Sequence, residues 1–339
     1  MSESRAFDSI LITGGAGYCG SRLVPQLLDH GYRVTVFDIM YFGADFLPAN
    51  HPNLTITEGD IRDAEHLKAS MRGHDAVLSL ACISNDASFE LDEDLSTSVN
   101  LDAFEPMVVA AKDSGARRFV YVSSSSVYGV SDSPDVTEDH PLVPLTLYND
   151  YKGRCEPILE RHTDENFVGV VVRPATVCGY APRQRLDLSV NILTNHAVNN
   201  EKITVFGGDQ LRPNLHVQDY CDALELMLEA PDEAIRNEIF NVGYENLSIR
   251  EIADRVRSVV GEEFPSRAEI PIETIPSDDN RSYHINSEKV NRQLGFQPKY
   301  SVDYAVRELC GAFKEGLLPD SMTDDRYFNV QRLQRLQVS

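Results

Sequence analysis

A glycine-rich segment between an apolar strand and an amphipathic helix constrains this chain more than any other feature. Residues 10–12 form an apolar run that is too short for a helix and typical of a buried parallel strand. Gly14, Gly17 and Gly20 follow at three-residue steps, and residues 21–30 place leucine and valine at helical spacing. In such a unit the backbone amides and the helix N-terminus converge on a pyrophosphate. Glycine triplets also occur in turns that bind no ligand, so the neighbouring sequence has to show whether this one binds a nucleotide.

An aspartate at the end of the second predicted strand favours one dinucleotide over another. Residues 34–37 form that strand, and Asp38 follows at about the interval where an acid meets the adenosine ribose. A carboxylate there accepts from both ribose hydroxyls and repels a 2′-phosphate, which predicts NAD rather than NADP. The alternative is that Asp38 is an ordinary strand-end residue.

Past the third strand, Asp60 is well placed to reach the adenine edge, while Asp63 is suited to cap a helix.

Short apolar runs alternate with helical patterns along the first half of the chain. The predicted strands after the first two cover residues 54–57, 76–80, 119–122 and 168–172. This order predicts an α/β fold, a Rossmann-type doubly wound parallel sheet with a smaller C-terminal substrate domain. We place the NAD-binding domain at residues 1–175 and the substrate domain at residues 176–339, and we expect some later elements to return to the first lobe.

The charge of the chain excludes several partners. Its 339 residues carry a formal net charge of −22, which argues against nucleic acid and acidic membrane surfaces. Neither a membrane span nor a signal peptide is evident in the sequence. Six scattered cysteines without C-x-x-C spacing suit reduced thiols in a cytoplasmic protein and predict no metal site. Any phosphate site must therefore be built from backbone amides and local arginines.

A run of four serines leaves the fifth predicted strand where a ligand would lie. Ligands of open parallel sheets bind beyond the carboxyl ends of the strands, so residues 123–126 are candidates for a site. Tyr148 and Lys152 follow, four residues apart on one predicted helix face. A phenol with a pKa of ~10 is a poor base at neutral pH, and a neighbouring ammonium, helped by the oxidised nicotinamide, stabilises its phenolate. The pair therefore predicts a tyrosine that transfers protons.

Several segments in this order resemble one protein family. They are TGGAGYCG, Asp38, GDIRD, SSSSVYG, Tyr148-x-x-x-Lys152, RPATV and RPNLHVQD. Together they resemble the extended short-chain dehydrogenase/reductase family, and within it the NAD-dependent nucleotide-sugar epimerases and dehydratases. The resemblance implies that Tyr148 is the base and acid, that Lys152 lowers its pKa and holds the nicotinamide ribose, and that Ser124 hydrogen-bonds the reacting sugar oxygen. Ser125 is the second choice for that hydroxyl.

The resemblance also implies a set of ligand contacts. Those to the cofactor are Gly14, Gly17, Tyr18, Cys19, Asp38, Asp60, Ile61, Leu80, Ala81, Tyr148, Lys152 and Arg173. Those to the nucleotide sugar are Ser124, Ser125, Arg183, Asn191, Arg212 and Arg281. Guanidinium groups suit phosphate oxygens bidentately, which favours Arg212 and Arg281 most, although most arginines form exposed ion pairs. The polar segment after Leu317 indicates no chemistry.

One departure from the family pattern bears on the reaction. The 4,6-dehydratases usually carry Asp-Glu directly after the catalytic hydroxyl residue, whereas this chain has Ser125 and Ser126 there. We therefore expect a 4-epimerase that acts at C4 of a nucleotide sugar. The alternatives are a C4 dehydrogenase that releases the 4-keto sugar, a less favoured 4,6-dehydratase, and a non-enzymatic NAD-binding regulator. By the same resemblance, helices at residues 95–114 and 147–161 would form the seam of a homodimer.

Overall fold

A computed structural model describes residues 7–84, 86–89, 91–131, 133, 135–200, 202–277 and 282–338. Within them the strands are β1 Ser9–Thr13, β2 Arg33–Asp38, β3 Leu54–Glu58, β4 Ala76–Ser79, β5 Arg118–Val122, β6 Val168–Pro174, β7 Thr176–Cys178, β8 Ile203–Phe206, β9 Leu211–His216, β10 Ile239–Val242, β11 Glu245–Ser248 and β12 Ile272–Ile275. The helices are α1 Gly20–Asp29, α2 Ala64–Met71, α3 Asp86–Phe89, α4 Glu93–Thr97, α5 Phe104–Asp113, α6 Leu147–His162, α7 Ser189–Asn199, α8 Val217–Glu229, α9 Asp232–Ile235, α10 Ile249–Glu263, α11 Glu288–Leu294, α12 Val302–Lys314 and α13 Asn329–Leu336.

The large sheet has seven strands in the described part of the chain, all parallel, in the order β10-β6-β5-β4-β1-β2-β3. The direction of the strand order reverses between β1 and β4. The loops after these two strands therefore diverge and leave a crevice at the carboxyl ends. Every residue of β1 and β5 is buried, because helices cover both faces of the sheet, and both strands are rich in apolar residues.

The two faces of the sheet have separate cores. On one face α1 and α8 pack over a cluster that includes Ile10 and Ile12. On the other face α2, α5 and α6 pack over a cluster that includes Leu11 and Phe119. Successive residues of β1 thus enter different cores, as the alternation of side chains along a strand requires.

The smaller lobe has a core of its own. β7, β9 and β11 form one sheet, and β8 and β12 form another. α7, α10 and α12 pack together around a cluster that includes Val190, Ile252 and Val306. α10 begins with a capping box, in which the side chains of Ser248 and Glu251 each accept from the backbone N–H of the other.

Some elements beyond residue 175 belong to the large lobe. β10 pairs with β6 at the edge of the large sheet, and α8 packs against α1. Arg22 and Gln26 of α1 donate to Gln218 and Glu225 of α8, respectively. The predicted Rossmann-type sheet with smaller C-terminal sheets is confirmed, and the chain crosses between the lobes more than once.

The helix predicted over residues 95–114 is divided in the structure. A π-helical turn, Ser98–Asp102, lies between α4 and α5. Within it the buried Asn100 accepts from the backbone N–H of Ile83 and donates to its carbonyl, both at 2.9 Å. These two hydrogen bonds attach the loop after β4 to the helix pair, which fixes one wall of the cavity described next.

Candidate active site

A cavity of about 530 Å³ lies at the carboxyl ends of the large sheet. The loops after β1 to β6 line one side of it, and Arg183, Arg185, Arg212 and Tyr283 are among the residues that line it from outside the large sheet. Open parallel sheets bind their ligands at this edge, between the two lobes. The cavity is therefore the candidate site.

The glycine-rich loop leaves its backbone open to this cavity. Gly14 has a φ of +73°, and a Cβ there would lie 2.6 Å from the backbone nitrogen of Ala81. At Gly20 a Cβ would overlap the carbonyl oxygen of Gly15. Side chains are excluded at both positions, so that the loop and the N-terminus of α1 can approach a diphosphate closely. The residues present fit the diphosphate of a dinucleotide.

Asp38 ends β2 with its carboxylate beside this loop. Its oxygens accept from the N–H groups of Ala16 at 3.0 Å and Met40 at 2.9 Å. Burial raises the pKa of Asp38, and the backbone hydrogen bonds and the nearby Arg183 oppose this rise. An acid at the end of the second strand is the group that receives the ribose hydroxyls of NAD.

Asp60 and Ile61 line the cavity after β3. The Arg62 guanidinium donates to both carboxylate oxygens of Asp60. Burial raises the pKa of Asp60, but hydrogen bonds from the side chain and backbone of Arg62 outweigh it, and the pKa lies below its usual value. Asp60 is thus an ionised acceptor that suits an amino group such as that of adenine.

α6 brings Tyr148 and Lys152 to the cavity. The helix begins after Thr146, whose hydroxyl accepts from the N–H of Asn149. Lys152 Nζ donates to the carbonyl of Val122 at 2.8 Å and lies 6.0 Å from the centre of the Tyr148 ring. One turn of helix therefore places the phenol and the ammonium on the same face.

The pKa of Tyr148 lies well above its usual value, mainly because the phenol is buried. The Cys82 thiol and the Asp86 carboxylate raise this pKa further, and Arg185 opposes them. The side chains around Tyr148 thus favour the protonated phenol, in contrast to the predicted lowering of its pKa by Lys152. A positively charged nicotinamide beside the ring would favour the phenolate.

The serines after β5 form a hydroxyl network along the cavity wall. The Oγ atoms of Ser124 and Ser126 are 2.7 Å apart, and Ser126 donates to Oδ1 of Asn149 at 2.5 Å. Ser125 also lines the cavity and is buried. The network links β5 to α6 at the residue that follows Tyr148.

A family model matches residues 10–243, more than half of the chain, and its description is "NAD dependent epimerase/dehydratase family". This chain belongs to that family. Membership confirms the predicted family and, since the family is NAD-dependent, the predicted cofactor.

Curated relatives of this epimerase/dehydratase family member carry different activities. The chain is 29% identical to the low-salt glycan biosynthesis protein Agl12 of Haloferax volcanii over 87% of this chain and 94% of the relative. It is 28% identical to a dTDP-glucose 4,6-dehydratase of Streptomyces niveus, with 86% and 88% covered. It is also 28% identical to a UDP-glucose 4-epimerase of Azospirillum brasilense, with 90% and 92% covered.

Solved structures are similarly divided between the two activities. The dTDP-glucose 4,6-dehydratase DesIV of Streptomyces venezuelae, with NAD and TYD bound, matches with a TM-score of 0.81 at 25% identity over 94% of this chain and 99% of that one. The UDP-glucose 4-epimerase of Thermotoga maritima, with UDP-glucose, has the same TM-score at 24% identity over 91% and 99%. Overall similarity therefore assigns the family but does not choose the reaction.

Most of the predicted contacts of this family member lie around the one cavity. The lining includes Gly14, Gly17, Tyr18, Cys19, Asp38, Asp60, Ile61, Leu80, Ala81, Ser124, Ser125, Tyr148, Lys152, Arg183 and Arg212. Arg281 lies outside the described residues. Arg173 and Asn191 are described and do not line the cavity.

Arg173 lies behind the cavity in a buried ion pair. It donates to both carboxylate oxygens of Glu156, at 2.6 and 2.9 Å, and to the hydroxyl of Tyr128 at 2.7 Å. Ser123 donates to the same carboxylate at 2.6 Å. This placement differs from the predicted cofactor contact, because a guanidinium buried this deeply needs a carboxylate partner more than it can serve a ligand.

Asn191 is fully buried and supports the loop before α7. It accepts from the N–H of Gly179 and donates to the Tyr18 hydroxyl and to the carbonyl of Arg185. All three groups belong to the protein, so Asn191 positions the loop that carries the cavity arginines. Asn191 does not line the cavity, in contrast to the contact with the nucleotide sugar that the sequence predicted.

Other lining residues were not predicted from the sequence. They include Asp86, Asn149, Arg185, Asp187, Tyr220, Tyr283 and Asn329. Arg185 pairs with Asp187 at 2.8 Å and donates to Ser84. Among them only Arg185 had a sequence signal, because it lies two residues after Arg183. The fold alone brings the other, distant segments to the cavity.

Two further properties concern the described residues only. No group of three His, Cys, Asp or Glu side chains is arranged to hold a metal ion in this part of the chain. None of the helices described above combines the length and apolar character that crossing a bilayer requires.

Proposed function

We propose that the protein is a nucleotide-sugar 4-epimerase, which oxidises the C4 hydroxyl of the sugar and reduces the resulting ketone from the opposite face. Support comes from one cavity that collects a tyrosine, a lysine and a serine hydroxyl beside a dinucleotide-binding loop. NAD, when bound, would accept the C4 hydride and return it.

Tyr148 and Ser124 would handle the sugar oxygen. Tyr148 takes the hydroxyl proton as the hydride leaves C4, and it gives the proton back when the ketone is reduced. Ser124 donates a hydrogen bond to the oxygen while it is a carbonyl. Lys152, near the Tyr148 ring, would favour the phenolate and hold the nicotinamide ribose. A positioned acid–base group of this kind contributes about 10²–10⁴ in rate.

The hydroxyl network after Ser124 is the main observation against a dehydration reaction. Elimination of water requires an acid that protonates the leaving hydroxyl and a base that takes the carbon-bound proton. Ser125 and Ser126 occupy the positions after Ser124, and the Ser126 proton is donated to Asn149. An alcohol is too weak an acid for this step, so the ketone would persist until hydride returns.

Arg212 and Tyr283 would bind the nucleotide part of the substrate. Their guanidinium carbon and ring centre are 5.3 Å apart, and both residues line the cavity. A guanidinium there suits a diphosphate. Because relatives are named for UDP-glucose and dTDP-glucose, UDP- and dTDP-sugars are the first substrates to test.

Product analysis tests this proposal. The protein is incubated with NAD and UDP-, dTDP-, GDP- and CDP-sugars, and the products are analysed by NMR and mass spectrometry. An equilibrium mixture of C4 epimers without net NADH supports an epimerase. A released 4-keto sugar with stoichiometric NADH indicates a dehydrogenase, and a 4-keto-6-deoxy sugar indicates a dehydratase. NAD binding without turnover of any sugar would favour a regulator.

A further inference from the structure

Arg183 is a buried cation whose hydrogen bonds to the described residues include none to a carboxylate. It is 4% exposed, lines the cavity, and lies 3.6 Å from the centre of the Phe42 ring. Its Nη2 donates to Oδ1 of Asn329 at 2.7 Å, and its Nε has no hydrogen-bond partner among the described residues. Burial, reinforced by the charge of Arg185, lowers the pKa of Arg183 to about 9. An anion that entered the cavity would stabilise this guanidinium.

Arg183 lies on the half of the cavity that the dinucleotide would occupy. Its backbone N–H donates to Ser21 Oγ at 3.0 Å, in the first turn of α1. Phe42 follows β2 and Asp38, and both Asp38 and Cys19 act electrostatically on Arg183. Besides Arg185, Asp187 and Asn329, the surroundings of Arg183 thus include the glycine-rich loop, α1 and the end of β2. Arg183 therefore lies beside the predicted dinucleotide site, although the sequence assigned it to the nucleotide sugar.

Asn329, at the start of α13, fixes the orientation of the Arg183 guanidinium. Its Oδ1 accepts from Arg183, and its Nδ2 donates to Ser84 Oγ at 2.8 Å. Its backbone N–H donates to Asp187 Oδ2 at 3.0 Å. Both ends of the amide are thus engaged, and only one assignment of the amide oxygen and nitrogen satisfies the two partners.

The segment that carries Asn329 is attached to both walls of the cavity. Arg332 donates to the carbonyl of Tyr41 after β2 at 2.7 Å and pairs with Asp325 at 3.2 Å. The carbonyl of Tyr327 accepts from the N–H of Leu186 at 2.9 Å, in the loop that carries Arg183. Residues 325–336 therefore connect the end of β2 to this loop.

We propose that Arg183, oriented by Asn329, binds the diphosphate of the dinucleotide, so that the C-terminal segment forms part of the cofactor site. The inference rests on the proposed assignment of this cavity to NAD and a nucleotide sugar, and it specifies which of the two diphosphates Arg183 binds. A guanidinium binds two phosphate oxygens at once and supplies positive charge locally in a chain whose net charge is −22. The amides of the glycine-rich loop and the guanidinium of Arg183 would bind the same anion.

Calorimetric titrations with NAD, ADP-ribose, UDP and dTDP test this inference on the full chain. The variants are Arg183→Gln, which removes the charge, and Asn329→Asp, which places a carboxylate against the guanidinium. Arg292→Gln on α11 is the matched control, since it removes an exposed arginine that does not line the cavity. Thermal unfolding of each variant reports on the fold.

The expected result is a selective loss of dinucleotide affinity. Arg183→Gln should weaken NAD and ADP-ribose binding by roughly tenfold to a hundredfold, the range for hydrogen bonds to charged groups, and leave UDP and dTDP unaffected. Asn329→Asp should weaken NAD binding at least roughly tenfold while its unfolding temperature stays the same or rises, because the new carboxylate pairs with the guanidinium and competes with phosphate. A merely structural Asn329 would not produce this combination.

Two results would overturn the inference. One is a loss of UDP and dTDP affinity with NAD binding intact, which would place Arg183 on the nucleotide sugar. The other is unchanged NAD affinity in both variants. If Arg183→Gln does not fold, unchanged NAD affinity in Asn329→Asp is enough to overturn the inference. Absence of turnover with every sugar would contradict the proposed function but leave these NAD titrations valid.

Discussion

At the residue scale, the proposed oxidation at C4 depends on the conditions under which the Tyr148 phenol loses its proton. Burial, Cys82 and Asp86 hold its pKa well above the usual value, and Arg185 is the cation that opposes them. Lys152 lies within 6.0 Å of the ring centre, yet it donates to a backbone carbonyl rather than to the phenol. The bound nicotinamide is therefore expected to complete the activation of this base, because its positive charge favours the phenolate.

A titration checks this expectation. Because the raised pKa favours the neutral phenol, Tyr148 without NAD should ionise only at a higher pH than an ordinary tyrosine, and NAD⁺ should shift its ionisation to lower pH. The measurement is the ultraviolet tyrosinate difference between the wild type and Tyr148→Phe, with and without NAD⁺. Ionisation of Tyr148 near neutral pH without NAD⁺ would contradict this account.

At the element scale, the ion pair between Arg173 and Glu156 joins β6 to α6 behind the catalytic face. Both side chains are nearly inaccessible, at 3% and 4% exposed. Ser123 of the serine run donates to the same carboxylate, so the pair also fixes the start of the hydroxyl network. We therefore assign Arg173 a positioning role.

Glu156→Gln should lower the free energy of unfolding by roughly 3–5 kcal/mol, because it leaves the Arg173 charge buried without its partner. The double variant Glu156→Leu with Arg173→Met should lose much less, since no unpaired charge remains. Asp254→Asn, which breaks an exposed pair with Arg250, is the control and should change stability by less than about 1 kcal/mol. Urea unfolding measures all three, and a loss below about 1 kcal/mol in Glu156→Gln would refute the role.

The sequence predicted those parts of the site that are formed by residues close together in the chain. The glycine-rich loop, Asp38, the serine run and the Tyr148–Lys152 pair were found because each is local and lies next to a strand or on one helix face. Arg173 was misplaced, since the sequence does not show that Glu156 lies opposite it. Asn329 was missed because a single asparagine in a polar segment becomes significant only when the fold brings it to Arg183.

At the scale of the whole molecule, α5 and α6 present an outer face with partly exposed apolar side chains. Leu101, Pro106, Val109 and Ile158 line a depression on this face together with the charged Asp102, Glu105 and Arg154, and Val109 is 38% exposed. Family resemblance places the homodimer seam on these helices, and we propose the same face here. Apolar side chains at the centre of such a face favour association.

Light scattering should give a mass of twice 37.9 kDa for the wild type. Val109→Glu should give the single-chain mass, because it would bury a carboxylate in the seam. Leu317→Glu, at an exposed leucine outside α5 and α6, is the matched control and should remain dimeric. A monomeric wild type, or a dimer that tolerates Val109→Glu, would contradict this assignment.

In the proposed reaction, Tyr148 transfers the proton that accompanies hydride transfer at C4. The decisive measurement is the single-turnover appearance of the reduced-nicotinamide absorbance band, after mixing enzyme and NAD⁺ with a nucleotide sugar that the wild type turns over. Tyr148→Phe should slow this step by about 10²–10⁴ with NAD affinity unchanged, whereas Tyr151→Phe, on the same helix but outside the cavity lining, should react like the wild type. A Tyr148→Phe enzyme that reduces NAD⁺ at the wild-type rate would contradict the account.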